Sequence, residues 1–240
     1  MIRRFLSCML AAIVVASATA QTSAPSPQAL MYYAGQPGRL TQDRDRLGGN
    51  PFASALVEVL KSGPTTLEDF TARLSAPNAR HSGGWQQLQF PKKLPSWKIG
   101  AEEHGKRVAL VMINADYSKT KGVYSLPGAA FDARRVPDAL TAAGFETTLV
   151  LDVNAAAARE KLAEFARLSE GAEASVIYVG GHGVQHKRIV YWMMGDYPDQ
   201  DPKWLPTHAI SLDEIGRAGH ARAVNLVLYA SCRDDPFSGK

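Results

Sequence analysis

The chain has 240 residues, 45% of them hydrophobic and 21% charged, a composition that suits one globular domain with a real core. Its formal charge is +4, and the sequence contains no Lys/Arg run of the length used on nucleic acid, so no nucleic-acid partner is expected.

Arg3 and Arg4 form a positive n-region, Phe5 to Val15 an apolar h-region, and Ala18-Thr19-Ala20 a small-residue cleavage site before Gln21. Residues 1–20 are therefore predicted to be an export signal, leaving a periplasmic or secreted protein. The apolar run is too short for a membrane span, so no membrane partner is expected after cleavage. Cys8 leaves with the leader, and Cys232 is then the one cysteine of the mature chain. No intramolecular disulfide is possible, and a free thiol in an oxidising compartment is a liability unless it is buried or functional.

Residues 21–28, rich in Ser, Pro and Gln, are read as a flexible N-terminus. Ala29 to Ala34 reads as a strand, and residues 35–51, rich in Gly, Asp, Arg and Pro, as a loop. Phe52, Leu56, Val57 and Leu60 follow helical spacing and stop near Gly63-Pro64. Thr65 or Thr66 caps a second helix through Leu67, Phe70 and Leu74. Residues 77–104 are irregular, with an edge strand around Trp85 to Phe90; the prolines in Phe90 to Lys98 mark a loop with snorkelling lysines.

From residue 107 the pattern becomes regular. Strands are predicted at 107–113, 146–151, 174–179 and 224–230, with helices at 129–143, 154–168 and 211–219 and a small hairpin near Val190 to Met194. Alternating strands and helices give an α/β fold with a mostly parallel sheet and helices on both faces.

Two strand ends carry chemistry. Gly181-His182-Gly183 follows the apolar run Ala174 to Val179, and Cys232 follows Val224 to Ala230, about fifty residues later. In a parallel sheet both ends arrive at one edge, where sites form. A thiol beside an imidazole is the minimum apparatus for acyl transfer. A free cysteine alone is more often a buried small hydrophobe, and it is the histidine string that favours a nucleophile. His182 and His186 have i,i+4 spacing, but the glycine, the strand end and the missing Glu argue against a zinc helix. No metal ligand set or cofactor is predicted.

The string Tyr178-Val179-Gly180-Gly181-His182-Gly183-Val184-Gln185 resembles the histidine motif of the caspase-like cysteine peptidases, peptidase family C14, and especially the bacterial metacaspase and orthocaspase branch. Leu228 to Phe237, with Cys232-Arg233-Asp234-Asp235-Pro236-Phe237, resembles that family's cysteine motif. Arg107 to Asn114 and Leu126 to Arg134 are similar to the family's first strand and the loop and helix after it. The resemblance implies a three-layer caspase-like fold and a cysteine-type endopeptidase with Cys232 as nucleophile and His182 as its proton partner. It implies an oxyanion hole from the backbone N–H groups of Gly183 and Cys232. A reactive Cys232 should alkylate with an apparent pKa below the free-thiol value of about 8.5.

Metacaspase-like enzymes cleave peptide or protein substrates after Arg or Lys, read by carboxylates. Asp132 matches one of these, whereas Ala230 stands where the other is expected, which weakens a basic pocket. Calcium, which some eukaryotic relatives need, has only Asp196, Asp199 and Asp201 in its favour, without an EF-hand Gly or Glu. The alternative is a non-catalytic caspase-like module that binds peptides or protein partners.

Residues 29–240 read as a single caspase-like domain whose segments stand in an unusual order. Residues 29–98 resemble the family's C-terminal segment, and 106–237 its catalytic N-terminal segment. Circular permutation accounts for that order, with a truncated or misassembled gene as the other explanation.

Overall fold

The computed structural model describes residues 27–100 and 105–238. The predicted export signal, and all but the last two residues of the predicted flexible N-terminus, lie outside them. In chain order the elements are β1 (Leu30–Tyr33), α1 (Pro51–Lys61), β2 (Thr65–Thr66), α2 (Leu67–Ser82), β3 (Lys98–Ile99), β4 (Arg107–Ile113), α3 (Pro127–Ala142) and β5 (Glu146–Leu151). They continue with α4 (Ala155–Ser169), β6 (Ala174–Gly180), β7 (Gly183–His186), β8 (Ile189–Met193), α5 (Leu205–His208), β9 (Ala209–Ser211), α6 (Leu212–Gly216) and β10 (Val224–Tyr229).

The central sheet has the order β1-β10-β6-β4-β5 and every pairing is parallel. The inner strands β10, β6 and β4 are largely apolar and buried on both sides because both sides are covered. Phe52, Leu56, Phe70, Leu74, Val136 and Leu140 of α1, α2 and α3 pack with Val111, Val176 and Leu226 on one face. Leu162 and Phe165 of α4 and Ile215 of α6 pack with Leu110, Ile177 and Val227 on the other. The fold is thus mixed α/β, with a parallel sheet between two helical layers.

Local signals set the element ends. Asn50 caps α1 by accepting from Phe52 N–H, Thr66 caps α2 from Asp69 N–H, and Asn154 caps α4 from Ala157 N–H. Gly144, at φ 85°, takes the left-handed turn after α3 that a side chain would resist.

Four expectations change. The second helix runs through Pro77 to Ser82 rather than stopping before 77, because Pro77 and Asn78 are buried and Asn78 Nδ2 donates to Gln86 O at 2.7 Å. The strand expected over Trp85 to Phe90 is a single antiparallel bridge between Gln89 and Tyr33. The helix expected over 211–219 is the five-residue α6, since Ala209–Ser211 instead pairs with β8. The hairpin of β7 and β8 accordingly becomes a three-stranded sheet.

β1 extends the main sheet beside β10, with Leu30 opposite Leu226 and Tyr33 opposite Tyr229. Tyr229 in turn lies opposite Val179 of β6. The chain leaves β1, β10 and β6 at one edge, which places the loop after Tyr33, the Cys232 turn and the His182 turn together.

Candidate active site

Cys232 and His182 line the same two cavities at this edge, and both side chains are half-buried. The first cavity is a narrow slot of about 70 Å³ that also contains Ala230, Asp132, Asp43 and Tyr178. The second holds about 320 Å³.

The sulfur is held from the β1 side. Thr41 N–H donates to Cys232 Sγ at 3.2 Å, and the Thr41 hydroxyl lies 3.4 Å from it. Thr41 is fixed because residues 38–41 run along the cysteine turn, with Gly38 N–H donating to Arg233 O and Arg233 N–H to Arg39 O. The Arg233 guanidinium locks the two stretches further, stacking 4.0 Å over the Tyr33 ring and donating to Gly35 O and Gln89 Oε1. Burial nevertheless dominates and pushes the Cys232 thiol up, with the two Thr41 bonds pulling the other way. That corrects the expected low thiol pKa.

His182 is oriented by backbone on one side and a ring on the other. Its Nε2 lies 2.8 Å from Tyr124 O; a carbonyl only accepts, so Nε2 carries the proton and the neutral ring keeps its lone pair on Nδ1. The Tyr117 ring meets the imidazole edge-on at 4.5 Å, and the Tyr117 hydroxyl accepts from His182 N–H while donating to Met193 O. Burial lowers the His182 pKa. Both shifts favour the neutral forms, an S–H at Cys232 and an uncharged imidazole at His182.

Gly183 sits against the cysteine turn. A Cβ at Gly183 would collide with the Tyr229 hydroxyl and stand 2.9 Å from Cys232 O, so only glycine lets these two turns approach.

Asp132 is not a free carboxylate. It is fully buried, accepts from Asn50 N–H at 3.0 Å and pairs with Arg135 at 2.7 Å. Burial pushes its carboxyl up to about 7, against the pull of Arg135. Asp43 was not legible as a site residue, yet it lines the slot and caps α3 across the chain, accepting from Gly128 N–H at 3.0 Å and Ala129 N–H at 3.1 Å. Nothing local to the loop at 35–50 announces this, because the cap joins residues 85 positions apart. The Tyr178 hydroxyl of the same slot is buried and without a hydrogen-bond partner among the described residues.

Among the described residues no group of three or more His, Cys, Asp or Glu side chains converges as a cation site. Two of the three acidic residues of that region point to other partners, Asp199 accepting from Trp204 Nε1 and Asp201 pairing with Lys203. No helix of the described residues is long and apolar enough to cross a membrane.

The family model of the caspase domain, the C14 peptidases, matches residues 106–240. No curated protein matches the chain. The parallel sheet between helical layers is consistent with a caspase-like fold.

Proposed function

The chain belongs to the caspase-domain family of cysteine peptidases, and on that footing we propose that it is an endopeptidase working through Cys232 and His182. The observation that carries this reading is that the only free thiol of the described residues shares two cavities with an imidazole whose proton is already fixed on Nε2. Cys232 attacks the peptide carbonyl as Nδ1 of His182 takes the S–H proton, and the same proton is returned to the leaving amine. The N–H groups of Gly183 and Cys232 face the developing oxyanion. Water then hydrolyses the thioester and restores the thiol.

We also propose that the narrow slot takes a basic side chain before the scissile bond. Asp43 supplies the carboxylate that Ala230 does not, and the unpartnered Tyr178 hydroxyl offers a further acceptor. Asp132, already paired with Arg135, contributes structure and little charge. A slim, unbranched arginine or lysine fits a cavity of about 70 Å³ better than a bulky side chain.

Three further parts of the reading rest on the sequence strings above. The enzyme belongs to the metacaspase-like branch, it is exported after loss of residues 1–20, and it needs no cofactor. The order of its segments is a circular permutation, supported by the parallel pairing of β1 with β10.

Labelling by peptidyl electrophiles that differ only in the last side chain tests the whole reading. Arg and Lys probes should modify Cys232 fastest, and Cys232→Ala should take no label. Preferential labelling by an Asp probe would overturn the basic slot, and labelling that ignores Cys232 would overturn the enzyme.

A further inference from the structure

The second cavity has a different chemistry from the first. Leu40, Val123, Val184, Met193, Pro236 and Phe237 form its apolar wall, and Asp234 is its one carboxylate. Val184, Met193 and Phe237 belong to a small apolar cluster with Tyr117 and Tyr197, so this wall is packed and preformed. Phe237 is anchored edge-on against His186 at 5.4 Å. The cavity is continuous with the reacting groups, because Cys232, His182, Gly183 and Thr41 also face it.

A peptide bond held between Cys232 and His182 has its acyl half on one side of the thiol and its amine half on the other. With the acyl side chain in the acidic slot, the residue whose amine leaves faces the apolar cavity. We propose that this cavity binds a medium or large apolar side chain immediately after the scissile bond, such as Leu, Met or Phe. The assignment rests on the peptidase reading above. It makes this enzyme select on both sides of the cut, by charge before it and by apolar burial after it.

The cavity can be read after acylation, where the rate of bond cleavage no longer matters. A peptide methyl ester ending in the residue selected by the labelling experiment acylates Cys232 and releases methanol. An added amino-acid amide then attacks the thioester carbonyl: a C–N bond forms, the C–S bond breaks, the amine proton passes to His182, and the thiol is restored. Water competes for the same thioester, so the yield of amide over acid reports how well each amine sits in the cavity.

Leu, Met and Phe amides should capture the acyl group about tenfold or more better than Gly amide, the discrimination an apolar pocket gives for side chains of this size. Asp amide should be poorest, since Asp234 lines the cavity. Leu40→Asp, at an exposed loop position, and Val123→Asp, at the half-buried edge of the Tyr117–Phe237 cluster, should each reduce the Leu-to-Gly ratio several-fold, with a melting transition checked for each. Equal capture of Gly, Asp and Leu amides, or a ratio unchanged in both variants, would overturn the cavity assignment and leave the peptidase standing. An ester that is never consumed would overturn both.

Discussion

The stretch before residue 100 and the stretch after residue 105 bring different parts to one edge of the sheet. The later stretch carries the thiol, the imidazole and the match to the caspase domain. The earlier one lies outside that match, yet its loop supplies Thr41, whose N–H donates to the sulfur and whose hydroxyl lies beside it, and the carboxylate at the head of α3. The proposed reacting groups and the residues that contact them therefore come from separate pieces of chain, joined by the β1–β10 pairing and by Arg233. A match to the reacting residues alone would describe half of the site.

The largest effect should come from breaking the pairing itself. Removing 29–90 strips β1, α1 and α2 from one face, opens the edge of β10 and exposes Val111, Val176 and Leu226. An insoluble or non-cooperative product is expected, and reattaching the stretch behind Cys232 through a flexible linker should restore a folded, thiol-reactive protein. A deletion that stays monomeric with a cooperative melting transition would mean that the earlier stretch is an appendage.

Next in size is loss of the reacting groups. Cys232→Ala and His182→Ala should each lower kcat/KM for peptides by on the order of 10³-fold or more, with little change in thermal midpoint. Residual cleavage by Cys232→Ala close to that of the parent would remove the nucleophile assignment.

The two acidic residues of the slot separate the stretches more finely. Asp43→Asn removes the charge and keeps one of the two oxygens that accept from the Gly128 and Ala129 N–H groups. Cleavage after Arg should fall by about 1.5–3 kcal/mol in transition-state binding, the range for a hydrogen bond to a charged group. Asp132→Asn removes the charge paired with Arg135, which keeps its bonds to Ser54 Oγ and Asn50 O, and should chiefly lower stability, read as a drop in thermal midpoint. If Asp132→Asn alters the preference for Arg while Asp43→Asn does not, the roles are reversed.

The regular stretch was legible because each element signals itself locally. The β-branched runs gave β4 and β5 their observed ends, and Asn154 marked the start of α4. The site was legible only where residues are strung together, as at His182 and Cys232. Thr41 and Asp43 act across 191 and 85 positions, and a loop without periodicity offers no clue to such partners. Asp132 was read as a pocket carboxylate although Arg135 stands one helical turn on, where an i,i+3 pair was foreseeable. Helix α2 extends past residue 77, where irregular chain is expected, because burial of Pro77 and Asn78 carries it on.

Smaller effects concern protons. With the thiol raised by burial, iodoacetamide alkylation of Cys232 should have a midpoint above about 8.5. The stability that depends on the neutral thiol is complete below the unfolded value and falls as pH climbs from there to the folded one. His182 works in the opposite direction. Its lowered pKa costs stability as pH drops from about 6.5 toward the folded value, because the unfolded chain binds the proton first. Thermal midpoints should therefore decline at both ends, and Cys232→Ala should flatten the alkaline limb alone. An alkaline limb unchanged in that variant would assign it elsewhere.

The smallest expected effect tests the link between stretches directly. Thr41→Val keeps the N–H bond to Sγ and loses the hydroxyl, so the alkylation midpoint should rise slightly and peptide cleavage slow about fivefold. Thr41→Ser should behave as the parent. Identical pH profiles for Val and Ser would show that the hydroxyl has no influence on the sulfur.

The shielding of Cys232 also bears on how long the protein survives. Peroxide and disulfides react with the thiolate, and a sulfur kept as S–H, half-covered and tethered to Thr41, offers little of it at neutral pH. Conversion to a sulfenic acid, or a mixed disulfide with a passing thiol, is slowed by the same burial that holds the resting dyad neutral. If the leader is removed on export as proposed, Cys232 stands in oxidising surroundings without a disulfide partner, and its shielding reserves the sulfur for the proposed attack on a substrate carbonyl.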